Sequence, residues 1–249
     1  MARLHSRLWA LVPGLSVIAF VAVGSVAEHG SAQVLTYLAL VAVPLLAALA
    51  LGWLMWGASP RWAVLVAPLF ALAWADRGGL AGEGAAVVLS ALSCVGLGAL
   101  IASVTPARWL ALGIVAMACA DAALVISDLL QAPNDALNAV HPAGGLPRLQ
   151  AEVFGSAVMG YGDLFVAGVF GGLLAVTGER SRQLTGALLV VSLAVVFDFL
   201  FFAVNELPAT VPVASALVIL VWASRRHRVR GVGARPPQKA PSARAPARR

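Results

Sequence analysis

Eight runs of apolar residues divide the chain, and short polar breaks separate them. Most runs are about 20 residues long, which is the length of an α-helix that crosses a bilayer. They cover approximately residues 8–27, 33–57, 62–75, 84–104, 109–130, 153–176, 185–204 and 209–223. The third and eighth runs are short for a complete span. The pattern predicts an all-α, polytopic membrane protein of about eight transmembrane helices.

The composition supports this class and excludes an ordinary soluble domain. Hydrophobic residues make up 61% of the 249 residues and charged residues only 11%, whereas about 25% of a soluble domain is charged. The two cysteines, Cys94 and Cys119, lie inside apolar runs and have the pattern of small buried hydrophobic residues. No metal or organic cofactor is therefore expected.

The positive charge belongs to the C-terminal tail. Nine of the 17 Lys and Arg residues follow Ser224, in a Pro- and Ala-rich stretch with almost nothing to bury. We expect residues 224–249 to form a disordered basic tail on the cytoplasmic side. The net charge of +6 therefore does not indicate a nucleic-acid partner.

The Lys and Arg residues also predict the orientation. With eight spans and a cytoplasmic N-terminus, 15 of the 17 lie on the inner side, and only Arg77 and Arg148 lie outside. This bias predicts that both termini are cytoplasmic, in the plasma (inner) membrane, and that the first run is an uncleaved helix. Most acidic loop residues, Glu152 among them, lie on the outer side in this arrangement.

An aspartate stands inside the sixth run, at Asp163. Moving a charged carboxylate to the centre of a bilayer costs at least about 2.5 kcal/mol, so an acid in this position is a candidate functional residue. Gly160 and Gly162 precede it, and their missing side chains would let another helix or an extended peptide come close.

The stretch Gly160-Tyr161-Gly162-Asp163 resembles the GxGD motif of the intramembrane aspartyl proteases, the family of presenilin and signal peptide peptidase. The small and branched residues after Asp163 are similar to the signal peptide peptidase version. The resemblance implies a presenilin-like or signal-peptide-peptidase-like arrangement of the C-terminal half, with two catalytic aspartates on neighbouring helices.

Asp121 on the fifth run is the candidate for the second aspartate. If both helices end at the polar linker 131–150, Asp121 and Asp163 lie at the same depth, about 13 to 15 Å from the outer boundary. Asp128 is the competing candidate, but it lies near the outer end, where it can reach water. Depth therefore favours Asp121, although Ala120 stands before it where the family has tyrosine.

Pro208-Ala209-Thr210 at the start of the last run is similar to the family's Pro-Ala-Leu motif, with threonine in place of leucine. The resemblance implies that Asp121 and Asp163 are catalytic, and that the two motifs contact the substrate through Gly160, Tyr161, Gly162, Pro208, Ala209 and Thr210. It divides the chain into an N-terminal four-helix transmembrane region (1–108), a catalytic transmembrane region (109–223) and the tail (224–249).

The expected function is that of an intramembrane aspartyl protease, an aspartic endopeptidase whose two aspartates act as general acid and base. The predicted orientation favours substrates of type II, or leftover signal peptides. Transmembrane peptides and the lipid bilayer are then its partners. Three alternatives stay open: a prepilin-peptidase-like protease that uses Asp128, a proton-coupled transporter with a relay of Asp121, Asp163 and Asp198, and a non-catalytic protein that binds transmembrane helices.

Overall fold

The computed structural model describes residues 28–127, 135, 139–155, 157–178, 180–202 and 207–233. Seven helices and one hairpin form this part of the chain. In order they are α1 (Glu28–Leu49, continued by a π-helical turn, Ala50–Leu54), α2 (Val66–Ala75, after a 3-10 turn, Pro60–Leu65), α3 (Leu80–Val104), α4 (Ala107–Ile126), a 3-10 turn (Ala143–Gly145), β1 (Ala151–Phe154), β2 (Ala157–Gly160), α5 (Tyr161–Thr177), α6 (Arg180–Asp198, followed by a 3-10 turn, Phe199–Phe202) and α7 (Val211–Gly233).

The described part is mostly helical and belongs to an α-helical membrane protein. Four helical stretches are long and apolar enough to cross a membrane, namely Gln33–Leu54, Leu80–Val104, Ala107–Ile126 and Arg180–Asp198. Three shorter apolar helices cover Pro60–Ala75, Tyr161–Thr177 and Val211–Ser224. The first apolar run and residues 234–249 of the tail lie outside the described residues, so the count of eight spans stays a prediction.

The sixth apolar run is not one continuous helix, and the predicted start at Val153 is wrong. Residues 151–160 form an antiparallel hairpin in which Glu152 pairs with Met159 and Phe154 with Ala157. The turn begins at Gly155, whose φ of 60° is unfavourable for residues with a Cβ. Helix α5 therefore begins only at Tyr161, and it is shorter than the run.

Helix α3 is the central element against which both the hairpin and α5 pack. Three glycines bring α3 and α5 close together: a Cβ on Gly98 would overlap the Gly168 carbonyl, and a Cβ on Gly172 would overlap the Gly98 carbonyl. Such close backbone approach is the usual reason for small residues at helix interfaces in membranes. Helix α5 thus runs alongside α3 in the same direction.

Two clusters of buried side chains hold the helices together. One joins α1, α2 and α3 to the segment before the hairpin, through Val43, Ala47, Val66, Leu89 and Leu149. The other joins α4, α5 and α7, with Ala102 of α3 at its edge. The second cluster is the one that determines the geometry of the candidate site.

Candidate functional site

The three sequence motifs meet at one end of the second cluster. Asp121 lies three residues after Ala118 on α4, Asp163 lies three residues before Val166 on α5, and Thr210 lies three residues before Val213 of α7. Ala118, Val166 and Val213 are all buried members of that cluster. Since residues three apart on a helix share one face, the packing of the three helices directs their polar neighbours to a common place.

Thr210 holds the carboxylate of Asp121. The Thr210 hydroxyl donates a hydrogen bond of 2.6 Å to Oδ2 of Asp121, and the Thr210 backbone N–H donates to the same oxygen at 3.3 Å. Thr210 is 4% exposed, so water competes little for these bonds. Thr210 therefore has a polar partner that a leucine side chain at this position would lack.

Asp163 lies in the first turn of α5, where the positive end of the helix dipole favours a carboxylate. Its side chain folds back over Gly160: a Cβ added to Gly160 would lie 3.4 Å from Oδ2 of Asp163. Asp163 is half-buried, and the charge of Asp121 acts on it through space. The two acids thus belong to one electrostatic site, although 42 positions separate them along the chain.

Asp163 lies nearer to the start of its helix than predicted. Because α5 begins at Tyr161, Asp163 is the third residue of the helix and does not lie about ten residues inside it. Asp121 lies five residues before the end of α4 at Ile126. The two acids are still brought together, but at the ends of their helices and beside the non-helical hairpin.

The two residues that precede Asp163, Tyr161 and Gly162, have different surroundings. The space beside Gly162 is open in the part of the chain that the structure describes, since a Cβ there would meet none of its atoms within 4 Å. The Tyr161 side chain points toward α3, where its hydroxyl is 2.8 Å from Oγ of Ser93, and it packs on the first cluster. Gly162 therefore borders free space, whereas Tyr161 anchors the start of α5.

The remaining sequence candidates are distributed as follows. Pro208 and Ala209 are half-buried in the turn that leads into α7, where the carbonyl of Pro208 accepts from the N–H of Val211 at 3.2 Å. Asp198 is exposed at the last position of α6. Asp128 lies outside the described residues. Of the acids considered from the sequence, Asp121 and Asp163 are thus the two that the described structure brings together.

Glu152 also belongs to this site, although the sequence did not indicate it as a site residue. Glu152 of β1 is only 4% exposed and its charge interacts with that of Asp163, whereas the sequence places it in an outer loop. The signal for the hairpin was present in the sequence, because Gly-Ser between two short runs rich in apolar residues is typical of a two-residue hairpin turn. The hairpin places the Glu152 side chain against α3.

Within the part of the chain that the structure describes, no group of three or more His, Cys, Asp or Glu side chains could hold a metal ion. Comparison of the chain with protein-family models, with curated proteins and with solved structures gives no match.

The Asp121–Thr210 contact leads to a stability prediction. Thr210→Val removes the hydroxyl and keeps the shape, so the half-buried Asp121 carboxylate retains only the longer bond from the backbone N–H. We expect the free energy of unfolding in detergent to fall by about 1.5 to 3 kcal/mol, as for other hydrogen bonds to charged groups. Thr210→Ser is the control, because it retains the hydroxyl. Equal losses for valine and serine would show that the hydroxyl bond contributes nothing.

Proposed function

We propose that this protein is an intramembrane aspartyl protease, with Asp121 and Asp163 as its two catalytic acids. The resemblance of Gly160-Tyr161-Gly162-Asp163 and Pro208-Ala209 to the two family motifs suggested this function. The eight-span, presenilin-like architecture and the substrates of type II are part of the same proposal.

One observation carries the proposal. Three segments far apart in the sequence, around residues 121, 163 and 210, converge at the end of one buried cluster, and Thr210 of the third segment is bonded directly to the acid of the first. A single acid that only helped helices to pack would need one polar neighbour. A second acid at the same place adds electrostatic repulsion, which is costly unless the pair has a use.

The proposed reaction follows from the interaction between the charges of Asp121 and Asp163. Two carboxyl groups that share a site of low dielectric constant retain one proton between them. Because Oδ2 of Asp121 already accepts two hydrogen bonds, as an ionised carboxylate does, we assign Asp121 the role of general base toward a water molecule. Protonated Asp163 then donates to the oxygen of the scissile carbonyl, and the peptide bond is hydrolysed without a covalent intermediate.

The hairpin suggests how a substrate reaches the acids. Within the described residues β2 pairs on one side only, with β1, so its other edge carries no neighbouring strand. An extended peptide that adds to this edge would be guided past Gly160 to Asp163. The open space at Gly162 leaves room for its backbone. A transmembrane helix would have to unwind locally to bind in this way, which exposes its peptide bonds to hydrolysis.

The proposal is tested by cleavage of single-span type II helices in proteoliposomes, using wild type, Asp163→Asn, Asp121→Asn and Asp128→Asn. We expect the wild type and Asp128→Asn to cleave, and the other two variants to be inactive. Asp198→Asn is the matched control, because Asp198 is an exposed acid at a helix end. Inactivity of Asp128→Asn with full activity of Asp121→Asn would contradict the assignment and favour the prepilin-peptidase-like alternative.

A second function has one observation in its favour. Glu152, Asp163 and Asp121 act on each other in sequence through their charges, an arrangement that would also suit a proton relay in a transporter. The relay predicted from the sequence used Asp198, which instead lies exposed at the end of α6. Proton flux into liposomes without cleavage of any helix in the panel would favour this function over proteolysis.

A further inference from the structure

Glu152 is buried where β1 packs against α3. Its side chain is 4% exposed, and neither carboxyl oxygen makes a hydrogen bond of ordinary length and angle among the described residues. An ionised carboxylate in such surroundings loses its hydration and gains little in return beyond the nearby Ser90 hydroxyl, whereas a neutral carboxylic acid loses much less. The docked hairpin therefore fits a neutral Glu152.

The hairpin packs on α3 along the face that Glu152 shares with Phe154. Alternate residues of a strand point to the same side, and the Phe154 ring lies over Gly84, 3.7 Å from where a Cβ of that glycine would be. At the tip, the Gly155 N–H donates to Glu83 at 2.8 Å. Glu152 lies nearer to the C-terminal end of α3 than Phe154 does, close to Ser90.

Among the described groups that act on the charge of Glu152, none is cationic. From α3 the hydroxyl of Ser90 and the thiol of Cys94 face it, and from α5 the phenol of Tyr161 and the carboxyl of Asp163 do so. The cationic groups near β1, on Arg77, His141 and Arg148, line a cavity next to Ala151 and Val153, which lie on the opposite face of the strand.

Burial raises the pKa of Glu152 to about 7, and the negative charge of Asp163 acts in the same direction, while the Ser90 hydroxyl opposes it. This pKa shift determines how docking of the hairpin depends on pH. The docked form binds the proton more tightly than the undocked form, so docking is strongest at low pH and weakens as the pH rises from about 4.5 toward 7.

We propose that Glu152 is a positioning residue whose neutral form holds the β1–β2 hairpin on α3 and thereby keeps Gly160 beneath the carboxyl group of Asp163. Ionisation of Glu152 releases the hairpin from α3. Because β2 ends at Gly160 and α5 begins at the next residue, release also frees the turn that holds Asp163. The effect on hairpin docking is independent of catalysis, whereas the effect on Asp163 rests on the proposed function.

The test is hydrogen exchange of the amides of residues 151–160, measured by mass spectrometry on the full chain in nanodiscs at pH 5.5 and pH 8.5. Rates are corrected for the intrinsic effect of pH, and α6 is the internal reference. We expect the hairpin of the wild type to lose about 30-fold in protection between the two pH values. Glu152→Gln, a neutral substitute of the same shape, should remain protected at both.

Glu83→Gln is the matched control, since Glu83 also contacts the hairpin but is not the buried acid; its pH-dependent loss of protection should remain. The proposal is overturned if the wild-type hairpin shows no change relative to α6, or if Glu152→Gln is unprotected at pH 5.5. The measurement uses no substrate, so it tests the docking of the hairpin even if the protein cleaves nothing. If it does cleave, Glu152→Gln should also extend activity to higher pH.

Discussion

Replacing Asp121 and Asp163 together is expected to lose no more activity than replacing either one alone. Each single change to asparagine should lower kcat/KM for cleavage by at least about 1,000-fold, since general acid–base catalysis contributes on the order of 10² to 10⁴ and neither acid works without the other. In the proposed mechanism the two acids share one proton, so the base activates water only while its partner polarises the carbonyl. The measurement is kcat/KM of the two single variants and the double variant on one substrate in proteoliposomes.

The comparison requires that the variants are folded. Asparagine retains the shape of aspartate and can still accept from the Thr210 hydroxyl, so Asp121→Asn should retain the position of α7. An unchanged elution profile and melting temperature in detergent establish this for each variant. If the loss in the double variant equalled the product of the two single losses, the acids would act independently, and the two-aspartate mechanism would be contradicted.

The helices could be predicted from the sequence because their signal is long and uniform. The apolar runs 84–104 and 109–130 correspond to α3 and α4, with ends that differ by a few residues. The pairing of Asp121 with Asp163 was also accessible, since a linker of limited length joins their helices. The reason given for it was incomplete, because both acids lie near helix ends and are brought together by the packing of α4, α5 and α7.

The hairpin was missed because residues 153–160 are as apolar as the helix that follows. A search for runs of apolar residues joins them to α5, and only Gly155-Ser156 in the middle indicates a turn. The inward position of Glu152 follows from the hairpin, so it was missed as well. The bond between Thr210 and Asp121 joins residues 89 positions apart, and no local pattern reports such a contact.

Gly168→Ala is expected to destabilise the protein, whereas Gly171→Ala, in the same helix, is not. A Cβ on Gly168 would overlap the backbone carbonyl of Cys94 on α3, which cannot move aside as a flexible side chain does. Overpacking of this kind costs about 1 to 3 kcal/mol. A Cβ on Gly171 would meet no atom of the described residues within 4 Å. There alanine should stabilise the helix by about 0.5 to 1 kcal/mol.

Gly168→Ala and Gly171→Ala form a matched pair. Both glycines lie in the interior of α5, so alanine increases the helix propensity equally at the two positions. The difference between their unfolding free energies, measured by denaturant titration in detergent, therefore isolates the contact with α3. Gly172→Ala should behave like Gly168→Ala, since its Cβ would overlap the Gly98 carbonyl. Since α5 begins two residues before Asp163, separation of α5 from α3 should also lower cleavage. Equal stabilities of Gly168→Ala and Gly171→Ala would mean that α3 and α5 do not approach each other at this distance.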